Sequence, residues 1–122
     1  MSSHKVFSDK RTNIEYPARQ CSTMAELRGD IDQLDRVIVE LLSIRQGYME
    51  QAARIKQKRT QVRDEERVED VVAKVMAHAD KVGAHPELVE NLYRQMIEWC
   101  ISYELGVFDD TRTPEDKPKI KS

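Results

Sequence analysis

The chain has little of what strands, tight turns, disulfide scaffolds and metal centres are built from. Four glycines and four prolines punctuate 122 residues, too few for the turns of an all-β fold, and the β-branched residues fall at helical rather than alternating intervals. There are two cysteines, Cys21 in a polar extension and Cys100 on an apolar helical stripe. That placement predicts free thiols in a reducing compartment, hence a cytoplasmic protein. The three histidines, His4, His78 and His85, show no i,i+4 pairing on one face, and no cysteine or carboxylate pattern completes a ligand set, so no metal is predicted. The opening MSSHKVFSDKRTN has no apolar signal core, and no apolar run approaches the ~20 residues needed to cross a bilayer. Net charge is −2 with 34% charged residues, a balance that excludes a nucleic-acid footprint at the level of the whole chain. Hydrophobic residues make up 39%, low for a chain that must bury its own core, and a partner subunit is expected.

What is present is helical periodicity. Residues 1–21, with Pro17 and no apolar repeat, read as a flexible arm, and residues 109–122, DDTRTPEDKPKIKS, read as a disordered tail. Residues 22–108 read as one all-α domain of three helices. Thr23 and Glu26 fit a capping box, after which Leu27, Ile31, Leu34, Ile38, Leu41, Leu42, Tyr48, Ala52 and Ile55 recur at helical spacing. Nothing stops this first helix before about Lys58. At ~1.5 Å per residue it makes a rod of roughly 50 Å, longer than a domain of this size is wide, and a second chain packed along it is the simplest source of cover. Asp64 caps a second helix that stops at Gly83, and Pro86 opens a third in its first turn.

Four cations, Arg28, Arg45, Lys56 and Arg67, fall where the apolar spacing points them inward. Buried positive charge needs a negative partner, and cations that converge without matching carboxylates imply a small anion carrying more than one carboxylate or phosphate. Arg45 and Lys56, eleven positions apart, share a helix face with an axial gap of ~16 Å that their long arms can narrow. Arg28 lies seventeen positions before Arg45, ~25 Å along the rod and off that face. It reaches such a ligand only from a second, antiparallel subunit. On the third helix Met96, Cys100 and Glu104 are spaced i, i+4, i+8, which puts an acid on the apolar stripe. Burial there would favour its protonated, hydrogen-bond-donating form.

These residues resemble the all-helical, AroQ-class chorismate mutases. The likeness rests on Leu27-Arg28-Gly29-Asp30-Ile31-Asp32-Gln33-Leu34-Asp35, then Arg45, then Lys56, then Val62-Arg63-Asp64-Glu65-Glu66-Arg67, in order and at near-family spacing. It covers about residues 24–107. The resemblance implies an intertwined helical homodimer of three-helix protomers with a long first helix, two active sites and no cofactor. It implies a chorismate-like dicarboxylate as substrate, rearranged to prephenate without nucleophile or general base. Residues 22–108 would then be a chorismate-mutase-like domain. In that setting Lys56 approaches the ether oxygen and Glu104 assists as the catalytic acid. The substrate-binding set is Arg28 from the other subunit, Arg45, Asp64, Arg67, Val68 and Cys100.

Three positions depart from the commonest pattern. Val68 stands where many mutases carry a glutamate for the ring hydroxyl, and an apolar residue there resembles isochorismate-pyruvate lyases. Glu104 replaces a bacterial glutamine, and Cys100 stands where a serine often lies. The last two would suit a ring bearing an amino group, as in aminodeoxychorismate mutases, so the ring substituent stays open. Elsewhere blander roles apply. Arg36, Arg54, Lys58 and Arg59 read as solvated or surface-paired cations, and Trp99 and Tyr93 as core or interface aromatics. Cys100 itself could be no more than core packing. The competing reading from another class is a non-catalytic helical dimerisation module, against which the inward cations argue because they would cost stability in a purely structural seam.

Overall fold

The computed structural model describes residues 14–112; most of the expected N-terminal arm and all of the expected tail after Arg112 lie outside them. The order of elements is helix α1 (Met24–Ile55), a 3-10 turn (Arg59–Gln61), α2 (Glu65–Val82) and α3 (Pro86–Thr111). Among the described residues there are three α-helices, as the periodicity predicts. The contacts fall into two compact units divided within α1 between Arg45 and Gln46.

In the first unit, Thr23 Oγ1 accepts the Glu26 N–H at 3.1 Å, the forward half of the predicted capping box. The Glu26 carboxylate reaches back one residue further than expected, to the Ser22 N–H at 2.9 Å. Just before the helix, Arg19 forks onto Asp30 with contacts of 2.6 and 3.0 Å. The Cys21 thiol lies 3.5 Å from the same carboxylate. The apolar stripe of Leu27, Ile31, Leu34, Ile38, Leu41 and Leu42 stays 37–52% exposed in the single chain. So long an uncovered apolar face on one helix is uncommon for a soluble monomer.

The second unit is built on a helical hairpin. The Asp64 side chain accepts the Arg67 N–H at 3.0 Å and caps α2. Gly83 ends the helix in the left-handed region at φ 85°, where a side chain would be strained, and Pro86 starts α3 at once. The short link makes the two helices antiparallel neighbours, and the cross-pairs agree in order: Arg63 with Glu98 at 2.7 Å, Arg94 with Glu69 at 2.9 Å. Between them lies a core of Ala53, Val62, Val72, Ile97, Ile101 and Phe108, with Val68, Val71, Met76 and Leu105 packed around it. Phe108, 1% exposed, contributes on the order of 2–3 kcal/mol by burial alone.

Two boundaries differ from the sequence expectation. Helix α1 ends at Ile55 rather than near Lys58, although Lys56 to Arg59 are good helix formers. The Gln61 side-chain oxygen takes the N–H groups of Gln57 and Lys58 at 3.0 and 2.9 Å, giving the backbone partners outside the helix. Helix α3 runs to Thr111, three residues past the expected end of the domain, because Phe108 is anchored in the core and carries the next turn with it.

Candidate active site

Lys56 is the first residue after α1, and its N–H still bonds to the Ala52 carbonyl at 2.9 Å. From that fixed root the side chain crosses to α3, where Nζ donates to Glu104 Oε2 at 2.7 Å and lies 3.4 Å from the Val62 carbonyl. Val62 is itself 4% exposed and belongs to the core, so that carbonyl is firmly placed. Glu104 is the buried charged side chain of the described residues, at 4% exposure, and shares the buried face of α3 with Cys100, Ile101 and Phe108.

The side chain of Lys56 keeps 28% of its surface open while that of Glu104 keeps 5%. Lys56 also walls a hollow of about 730 Å³, with Ile55, Gln57, Thr60, Gln61, Arg63, Asp64 and Glu65. That is the size of a pocket for a small organic molecule. Arg63 at its rim is held by Glu98 and Glu65, and the Glu98 carboxyl is kept below its usual range by that guanidinium. An ammonium has three N–H donors. With one on Glu104 and one toward Val62, Lys56 has one donor left.

By sequence Lys56 is a cation without an inward carboxylate and Glu104 an acid on the apolar stripe. The structure pairs them. In the single chain Glu104 Oε2 accepts the Lys56 ammonium at 2.7 Å. Asp64 is brought to the same hollow while serving as the cap of α2.

The remaining candidates are placed differently. Arg67 is 62% exposed and ion-paired with Asp70 at 2.6 Å, so within one chain it points along the surface of α2 rather than inward. Val68 packs against the core and Cys100 is buried without a disulfide. In the first unit Arg28 is exposed and Arg45 half-buried. Among the described residues no group of histidine, cysteine and carboxylate side chains could hold a metal ion, and no helix is long and apolar enough to cross a membrane.

Sequence reasoning missed three contributors. Gln61 shapes the turn that carries the hollow's wall, its side-chain oxygen taking the N–H groups of Gln57 and Lys58. Arg59, read as a solvated cation, is joined to Asp109 at 3.0 Å. Arg112, placed in the tail, donates to the carbonyls of Ala53, at 2.8 Å, and Lys56. No local pattern announces either of these long-range pairs.

The pattern of the family described as chorismate mutase type II matches residues 27–105. Isochorismate pyruvate lyase of Pseudomonas aeruginosa is 30% identical over 92 residues, which span 75% of this chain and 91% of the relative.

Proposed function

We propose, for a chain that belongs to the chorismate mutase type II family, a cofactor-free pericyclic reaction on a chorismate-type ether, rearranging chorismate to prephenate. The observation that carries this reading is the Lys56 ammonium, fixed by Glu104 at 2.7 Å on a side chain that keeps 28% of its surface open. In the reaction an ether C–O bond breaks as a C–C bond forms, and electron density gathers on the ether oxygen. A pre-aimed ammonium stabilises that charge more than it stabilises the ground state; the loss of one such donor costs roughly 10²–10³ in kcat. Glu104 contributes by keeping the ammonium in place. The rest of the barrier is lowered by holding the side chain over the ring, the work assigned to carboxylate clamps at Arg28, Arg45 and Arg67. Asp64, which walls the hollow, is a proposed substrate contact, as are Val68 and Cys100, which do not wall it.

The proposed assembly is a homodimer in which Arg28 serves the partner's site. Support comes from the apolar stripe of α1, 37–52% exposed from Leu27 to Leu42. Mixing Arg28→Ala and Lys56→Ala chains should restore activity, since a hybrid dimer keeps one intact site. Heterodimers with no recovered turnover would refute the shared site.

A second reading is isochorismate-pyruvate lyase activity. Val68 favours it, being committed to the apolar core with no group for a ring hydroxyl, as does the name of the relative. The deciding experiment supplies chorismate, isochorismate and aminodeoxychorismate separately to the purified chain. Loss of the diene absorbance is followed together with pyruvate release. Prephenate without pyruvate supports the mutase, pyruvate supports the lyase, and no turnover of any substrate rejects the class of reaction.

A further inference from the structure

The last turn of α3 lies across the root of Lys56. Arg112, the C-cap of α3, turns its guanidinium back onto the end of α1, where Nη2 donates to the backbone carbonyls of Ala53, at 2.8 Å, and of Lys56 itself. The last carbonyls of a helix have no partners of their own within it, and a cation there also answers the negative end of the helix dipole. The guanidinium is held flat against the core, its carbon 3.7 Å from the centre of the Phe108 ring, which is 1% exposed. One turn earlier Asp109 takes the Arg59 guanidinium of the 3-10 turn at 3.0 Å. The segment that carries Lys56 is thus tied to α3 on both sides, by Arg112 behind it and by Arg59 ahead of it.

We propose that Arg112 is a positioning residue for Lys56: by gripping the backbone carbonyl of that lysine and bracing on Phe108, it keeps the ammonium on Glu104. This rests on the reading of Lys56 as the group that meets the substrate's ether oxygen. Arg112 touches no substrate; it acts through the lysine. A lysine at 112 would supply a charge and donors but not a flat surface for the Phe108 ring, so the arginine is specifically suited to the place.

The test uses the full chain with Arg112→Ala, Arg112→Lys and, as a control in the same turn, the exposed Asp110→Asn. Lys56 is first followed without any substrate, by the rate of reductive methylation of its ε-amine against that of exposed Lys58. Release of the grip should speed Lys56 labelling about tenfold in Arg112→Ala, less in Arg112→Lys and not in Asp110→Asn, with Lys58 unchanged throughout. Kinetics follow at a temperature where circular dichroism shows every variant folded. Displacement of a catalytic group by about 1 Å costs up to roughly 100-fold, so kcat should fall about 10- to 100-fold in Arg112→Ala with KM within about threefold, and recover in part in Arg112→Lys. Unchanged Lys56 labelling overturns the proposal whatever the activity. Faster labelling with unchanged kcat also overturns it. If the natural chain turns over none of the substrates the proposed function falls, while labelling still decides whether Arg112 holds Lys56.

Discussion

Replacing Glu104 by alanine separates what the buried ion pair contributes from what its neighbours would supply without it. The ammonium and carboxylate meet at 2.7 Å, with the lysine side chain 28% open and the glutamate 5%. Stranding a fully buried charge costs about 3–5 kcal/mol. Here the lysine can swing toward the hollow and regain water, so the loss is discounted to about 2 kcal/mol. For a chain of this size that lowers the thermal midpoint by roughly 8 °C. Glu104→Gln keeps the shape and an acceptor for the ammonium, and should lose about 1 kcal/mol or less while retaining most turnover. Urea unfolding of the three proteins, at one fixed protein concentration because association adds to apparent stability, measures both differences. Alanine and glutamine variants that both fall within about 0.5 kcal/mol of the natural chain would refute the pair as a structural element and with it the holding role of Glu104.

Three further outcomes follow from other parts of the molecule. Leu41→Glu, at a position 52% exposed on α1, should move the sedimenting species from two chains to one; a variant that sediments like its parent would show that this face is not the contact. Arg94 holds Glu69, Arg63 holds Glu98, and Lys74 with Arg67 holds Asp70, each below the ordinary carboxylate range. These depressed carboxylates stabilise the fold fully above about pH 5 and lose that contribution as pH falls through their lower folded values. The urea midpoint should therefore hold from neutrality to about pH 5 and drop below about pH 4, less steeply in Glu69→Gln with Glu98→Gln; identical slopes would contradict the assignment. Burial first, and the Asp30 hydrogen bond next, push the Cys21 thiol up, so its alkylation by iodoacetamide at pH 8 should be slower folded than in urea. Equal rates would remove that shift.

The helices were legible because their punctuation is local. Asp64, Gly83 and Pro86 mark the ends of α2 and α3 through backbone chemistry that needs no neighbour, and the structure places the caps there. The end of α1 was not, since Lys56 to Arg59 favour helix and only Gln61, three to four residues on, diverts their N–H groups. Lys56 and Glu104 were legible one at a time, from the face each occupies. Their partnership was hidden, because forty-eight residues separate them and no spacing rule spans that distance. Arg112 was hidden more deeply. Its segment is polar and ends near Pro114, the composition of a tail, and its use depends on where Phe108 sets the last turn of α3.

The three-residue link from Gly83 to His85 also bears on the order in which the molecule assembles. Helical hairpins close on contacts near in sequence and form fast, on the scale of microseconds to milliseconds. Val72 and Ile97 meet within such a hairpin, whereas Ala53 joins their cluster from the far side of the 3-10 turn. The hairpin is thus the natural nucleus, and the end of α1 docks onto a surface already made. Damage inside the hairpin then slows refolding, while damage at the Lys56 end leaves refolding alone and hastens unfolding. The lifetime of the Lys56–Glu104 pair then depends on how long that late-docking end stays down.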